Sequence, residues 1–410
     1  MQIRRIRLVG LAVLALCAVA ASGHAGERAV TLHTFDGTGY DPWAGIVSDD
    51  HGNILGTTTA GGTGSCTAGL GCGTVFRMSP PPTPGGEWNY QTLYNFQGGP
   101  DGYFPQAPVT LDPLGAVYGY ASAGTNGIVF RLLPPVDGTI WTYQALYVFQ
   151  GGGDGDLLHV AAPLLVRDGH VYGIASGGAS RGCGADGCGS VFRLDPGADG
   201  APWTKATLFS FNGGTTGGQP RWIAGFDSHG ALFVSVAQRK GAVIRLSPLA
   251  TPGAPWTISV ITTFAGGRDG RAPSDLVLAP NGTLFGLAVG TRAAGDLVYR
   301  LTPPATNPSP WTRSVVAYVK DHGYGPDSIA LGRDGTLIGA IEGDFDFFAG
   351  SLFQLTPPAS GDGMWTFSEL WNFNRGPDRN PLNAVIGRGG HVFSILNGGD
   401  SSSGSVVELR

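Results

Sequence analysis

The chain of 410 residues has few lysines, little charge and no stretch of helical periodicity. Lys205, Lys240 and Lys320 are its only lysines, and charged residues make up 13% of it. With the arginines scattered, no basic stripe can be assembled, which excludes nucleic acid and anionic lipid surfaces as electrostatic partners. Beyond the first 25 residues no apolar run approaches the roughly 20 residues that a membrane-spanning helix needs. Apolar residues do not recur at the three-to-four spacing of an amphipathic helix. Hydrophobic content is nevertheless 42%, enough for a core, so the sparse charge does not mean disorder.

The chain opens with an export signal. Arg4, Arg5 and Arg7 precede an apolar run from Leu8 to Ala21, and small residues continue to Ala25. This reads as a secretory signal peptide over residues 1–25 and a single mature domain over 26–410, placed in the periplasm or outside the cell. A cut nearer Ala21 and acylation at Cys17 are the alternatives, although Leu16 is large for a lipoprotein site. Removing three arginines from 25 basic residues leaves 22 against 30 acidic ones, a formal charge of −8. The four remaining cysteines pair by proximity in sequence, Cys66 with Cys72 and Cys183 with Cys188. In an oxidising compartment each pair reads as a local disulfide. A zinc site is the rival reading, and it lacks a nearby histidine pair.

Glycine is abundant, with 69 residues, and Gly/Pro-rich turns separate short apolar strands, which points to an all-β fold. Trp88, Trp141, Trp203, Trp256, Trp311 and Trp365 each open a strand, at intervals of 53, 62, 53, 55 and 54 residues. Each interval contains the same four strands. A Pro-led strand such as "PSDLVLAPNG" ends in a tight turn, and a second follows at once, as in "TLFGLAV". A glycine-rich loop leads to a third, as in "GSVFRLDP", and the tryptophan strand is the fourth. Asn-Gly and Asp-Gly between apolar strands supply the positive φ angles that two-residue hairpins require. Four antiparallel strands per repeat predict a β-propeller. Seven third strands, the last being "GSVVELR", predict seven blades. The last unit has no tryptophan strand after it, whereas "AVTLHTF" at 29–35 fits the fourth-strand pattern. The N-terminal strand is therefore expected to complete the last blade and close the ring.

At "ILGTTTAGG", "GCGTVFRMSP", "FQGGPDGYFP" and "DGTLIGAIE" the chain resembles the GloVer tandem-repeat family of secreted bacterial proteins. The likeness runs over nearly all of residues 29–410. It implies a propeller-like, exported repeat protein; members lack an established enzymatic activity, and some carry a C-terminal surface-sorting segment.

One tryptophan per blade at a fixed position reads as core packing, and so do the recurring Arg77, Arg131, Arg193, Arg245 and Arg300, whose stems tuck between blades. Binding groups are expected on the face carrying the loops between second and third strands and between blades. There Asp101, Asp154, Asp269 and Asp378 recur five residues after a strand-ending aromatic. They are candidate ligands for calcium or a polar molecule, or braces of their own turns. Tyr40, Trp43, Tyr103, Phe104, Trp222 and Tyr324 break the repeat and are candidate stacking surfaces for a sugar or an apolar partner. In "EGDFDFFAG", Glu342, Asp344 and Asp346 alternate with Phe345, Phe347 and Phe348, which suits a cation site or a recognition loop. "GASRG" at 178–182 matches G-x-S-x-G without the strand-to-helix elbow that chemistry needs.

These features favour a monomeric, secreted, non-catalytic propeller that presents loops to a glycan, an envelope component or a protein. No cofactor is called for, with calcium the one candidate. A lactonase-like or lyase-like enzyme with an axial metal is the alternative, for which His159 and Asp275 lie near inner-strand starts. A purely structural envelope protein is the third reading.

Overall fold

The computed structural model describes residues 28–410 apart from 37–38, 67–68, 84, 125, 158–159, 179–180, 185, 215, 250–255, 306–309, 321–324, 344–347, 362, 374–378 and 399–402. Short 3-10 turns are the only helical elements among these residues. Seven four-stranded antiparallel sheets follow one another along the chain. Blade 1, for example, runs Val47–Ser48, Ile54–Thr58, Thr74–Ser79 and Asn89–Asn95 from the axis outwards. In blade 7 the outermost strand is Ala29–Thr34, paired antiparallel with Ser405–Leu409. Without that strand one edge would present unpaired N–H and C=O groups to solvent.

Within a blade, the glycine of the second strand and the aromatic ring of the third are two halves of one contact. A Cβ added at Gly56 or Gly119 would fall 2.8 or 2.6 Å from the ring of Phe76 or Phe130. The ring therefore crosses the sheet where a side chain is missing, and Phe76, Phe130, Phe192 and Phe353 are completely buried. This accounts for the co-occurrence of the two motifs in one repeat.

Between blades, each tryptophan lies against the blade before it. Trp256 meets Tyr172 at 6.3 Å between ring centres, Trp311 meets Phe233 at 5.7 Å, and Trp365 meets Phe285 at 5.4 Å. The Arg77 and Arg131 guanidinium groups sit 5.8 and 5.4 Å over Trp141 and Trp203 of the following blade. The same arginines donate to Gln91 and Gln144 on their own fourth strands. Trp88 of blade 1 packs at 5.5 Å on Phe393 of blade 7, so the joint where the ring closes carries the same contact.

The inner half of five joints uses a strained backbone. Asp41, Phe104, Gln219, Ala272 and Asn380 have φ between 45° and 58°, and each precedes the proline that leads into a first strand. A left-handed residue without the freedom of glycine costs free energy, and persists only where its surroundings require it. Here the N–H donates to the preceding blade, from Phe104 to Cys72 at 2.9 Å, Gln219 to Cys188 at 2.8 Å and Asn380 to Ala349 at 2.8 Å. Asp41 donates in the same way to Ser403, at 3.2 Å, across the ends of the chain. The next residue, proline, packs on a glycine of the preceding blade: a Cβ on Gly73 or Gly404 would lie 2.7 Å from the Pro105 or Pro42 ring. Two disulfides, Cys66–Cys72 and Cys183–Cys188, tie the loops whose Cys72 and Cys188 carbonyls receive two of these bonds.

Candidate functional site

First strands line a central cavity of about 480 Å³ to which all seven blades contribute. The strand position after the leading proline decides its chemistry, because alternate residues there face the axis. Blades 1 and 4 send in Trp43, which is 52% exposed, and the half-buried Trp222. Gln106 and Asn383 add amides from blades 2 and 7. Asp275, Asp327 and Glu342 bring carboxyl groups from blades 5 and 6. Aromatic and amide groups therefore occupy one arc of the mouth and acids the other.

Asp275 is 3% exposed, and its Oδ2 accepts the Ile329 N–H at 2.8 Å, joining the first strands of blades 5 and 6. Burial raises its pKa to about 7, only partly offset by the N–H bonds from Ile329 and Leu276. Asp327 reaches the water of the cavity but is crowded by protein on its other sides. That crowding, with the Glu342 and Asp296 carboxylates nearby, pushes it up to about 7. The Glu342 N–H donates to Asp327 Oδ2 at 3.2 Å, and the Glu342 carboxyl is itself raised by burial. A small side cavity of about 250 Å³ connects Asp327 with Asp296 between blades 5 and 6. Carboxyls with pKa near 7 exist in both forms at neutral pH, and so can donate or accept a hydrogen bond.

Asn383 holds the ring together as well as lining the cavity. Asn383 Nδ2 donates to the Ile46 carbonyl at 2.9 Å, and its Oδ1 accepts the Ile46 N–H at 3.2 Å. One side chain thus stands in for a strand-pairing partner between blades 7 and 1.

The other sequence candidates lie elsewhere. Asp101 accepts from Tyr94 Oη and the Gln97 N–H, each at 2.8 Å, and Asp154 accepts from Tyr147 Oη and the Gln150 N–H, each at 2.9 Å. Asp269 accepts the Ala265 N–H at 2.5 Å. Asp154 and Asp269 also pair with Lys205 and Arg313 on the following blades. Their oxygens brace turns and joints of the loop face, away from the cavity. Tyr40 bridges Ala60 and packs on the core between blades 7 and 1. Tyr103 packs edge-on against Phe104 at 5.0 Å and donates to the Gly124 carbonyl at 3.0 Å. Tyr324, Asp344, Phe345, Asp346, Phe347, Asp378 and His159 lie outside the described residues. Among the described residues no three His, Cys, Asp or Glu side chains are grouped to hold a metal ion.

Sequence reasoning named Trp43 and Trp222 as loop-face aromatics, Glu342 as a loop acid and Asp275 as an inner-strand acid, and joined them neither to one another nor to Asp327, Gln106 and Asn383, with which they line the central cavity. The available signal was the residue one or two places after each leading proline, which varies while its neighbours repeat.

No family model matches the chain, and no curated protein matches it. Solved structures share its fold at low identity. A fungal alcohol oxidase of the AA5 family in complex with copper superposes with a TM-score of 0.57 at 14% identity, covering 93% of this chain and 75% of the other. A Lactobacillus plantarum protein gives 0.52 at 14%, covering 87% and 99%. A Bacteroides uniformis protein assigned by name as a 6-phosphogluconolactonase gives 0.51 at 16%, covering 82% and 86%. At such identity the likeness is one of fold, and propellers host many unrelated functions.

Proposed function

We propose that the protein is a secreted binding propeller whose central cavity takes the end of a hydroxyl-rich ligand, a glycan of the cell envelope or its surroundings. The observation that carries this reading is the exposed Trp43 ring facing, across one cavity, carboxyls and amides from blades 2, 5, 6 and 7. A sugar offers an apolar face for stacking and a rim of hydroxyls that both donate and accept. Asp327, with its pKa near 7, can both donate to and accept from that rim, which a full carboxylate could not. The signal peptide, the two disulfides and the GloVer-like repeats support export.

Isothermal titration against a panel of envelope glycans tests it. Binding is expected, with Trp43→Ala and Asp327→Asn each weakening it by about tenfold or more, a typical loss for one stacking or hydrogen-bonding anchor. Failure of every glycan to bind, or binding indifferent to both substitutions, sinks the reading.

One observation favours a second reading, the lactonase-like enzyme. Asp275 and Asp327 have pKa values suited to proton transfer near neutral pH, which is what general acid–base hydrolysis of a lactone ring requires. A lactone screen decides between the two. Turnover lost in Asp327→Asn supports the enzyme; binding of the same sugar acids without turnover supports the scaffold.

A further inference from the structure

Away from the axis, partly buried acids pair with cations, as Asp154 does with Lys205, Asp227 with Arg245 and Glu408 with Arg410, at 2.7, 2.6 and 2.6 Å. The acids of the central cavity break this pattern. Among the described residues no lysine, arginine or histidine lines that cavity, and none pairs with Asp275, Asp327 or Glu342. Arg221, one place before Trp222, lines a separate pocket with Asp156 and Asp186. A carboxyl taken out of water is ordinarily matched by an opposite charge, because the unmatched ion is costly. Asp275 is almost wholly buried, yet it receives only backbone N–H groups.

The indoles stand beside these acids. Trp222 and Asp275 each lie two places after a leading proline, Pro220 and Pro273, on the first strands of neighbouring blades, so an indole and a carboxyl share one level of the cavity. At the mouth, Trp43 and Asp327 each directly follow the leading proline of their blade. The face of an aromatic ring carries negative potential and attracts a cation within about 6 Å, the more so where water is excluded. Two indoles and three carboxyls around one space, with no positive side chain among them, therefore act on a ligand with the same sign.

Resting on the glycan reading above, we propose that the ligand is a cationic amino sugar, whose free ammonium group supplies the missing counter-charge of Asp275, Asp327 and Glu342 and lies against Trp222. The ammonium donates its N–H groups to carboxyl oxygens, and the sugar ring stacks on Trp43. Acetylation of the amine removes the charge and two of its donors. The acids would then remain as unmatched as they are without a ligand.

Isothermal titration of the mature protein with glucosamine trimer, its fully N-acetylated counterpart, choline and 3,3-dimethyl-1-butanol tests it. The free-amine trimer should bind at least about tenfold tighter than the acetylated one, as for one partly desolvated cation contact. Choline, a cation without a sugar, should bind, and the butanol, which has its shape without its charge, should not. Asp275→Asn keeps an acceptor for the Ile329 N–H and removes the charge; it and Glu342→Gln should each cut the preference for the free amine to about threefold or less. Acetylated trimer bound as tightly as the free amine, or a preference that neither substitution reduces, overturns the inference and leaves the glycan reading standing. Choline bound with both trimers refused supports the cation site and overturns the glycan reading beneath it. Refusal of all four probes overturns both. Because the two variants act from separate blades, misfolding of one leaves the other to decide.

Discussion

The joint between blades 7 and 1, where the two ends of the chain meet, is better filled than the joint beside it, between blades 6 and 7. At the closing joint Asp41 donates to Ser403, Pro42 packs on Gly404, Trp88 lies on Phe393, and Asn383 bonds twice to Ile46. At the neighbouring joint the inner half is complete, with Asn380 donating to Ala349 and the Ala384 N–H donating to Ser328 Oγ at 3.2 Å. Its outer half, where Trp371 packs on the core, still leaves a slot of about 650 Å³ between Ile338 and the side chains of Ile386, Val392 and Leu409.

The largest effect should come from breaking the seam itself. Deleting residues 26–36 removes a whole strand and exposes an edge, so the melting temperature should fall by more than about 10 °C, or the protein should be recovered aggregated. Scanning calorimetry and size-exclusion chromatography check this. A loss confined to a few degrees would mean that blade 7 stands without its outer strand.

Next in size is the contrast between equivalent residues at filled and open joints. Phe285→Ala, which strips the ring from Trp365, should cost about 3–5 kcal/mol. Ile338→Ala, at the same register beside the open slot, should cost about 2 kcal/mol or less, because its neighbours already border a cavity. Equal costs in urea unfolding would show that the open slot is repacked in solution.

Asp275 gives a pH-dependent comparison with Asp275→Asn. Its folded pKa of about 7 lies above the ordinary carboxyl value of 3.8, so the folded state holds a proton that the unfolded chain has released. The natural protein should match the variant below about pH 4 and lose stability steadily as pH rises to about 7. Above that it should stay level, weaker than the variant by up to roughly 4 kcal/mol. Parallel melting curves across this range would show that the carboxyl is not desolvated.

Smaller still, Asn383→Ala removes two bonds at the seam and should cost about 1–3 kcal/mol. Arg131→Ala, which removes a cation over Trp203, should cost about 0.5–1 kcal/mol.

The architecture was legible because it repeats. Tryptophan spacing, the Asn-Gly and Asp-Gly turns and the unpaired seventh unit predicted blade number, strand order and the closing strand. The site was not legible, because the cavity is built by residues that depart from the repeat and lie far apart in sequence. Asp327 looks in sequence like any polar residue after a proline; only the ring geometry sets it beside Glu342 and across from Trp43. The left-handed residues before the prolines were equally hidden. Sequence rules disfavour that conformation at such a position, and the bonds that compensate for it come from the preceding blade.

Because the seam is locked by the same contacts as the internal joints, no blade is privileged as first. The strands Ala29–Thr34 and Ser405–Leu409 lie side by side, with the Arg28 N–H donating to the Arg410 carbonyl at 2.6 Å. A short peptide link across them and a cut before any other fourth strand would yield a circular permutant with the same fold.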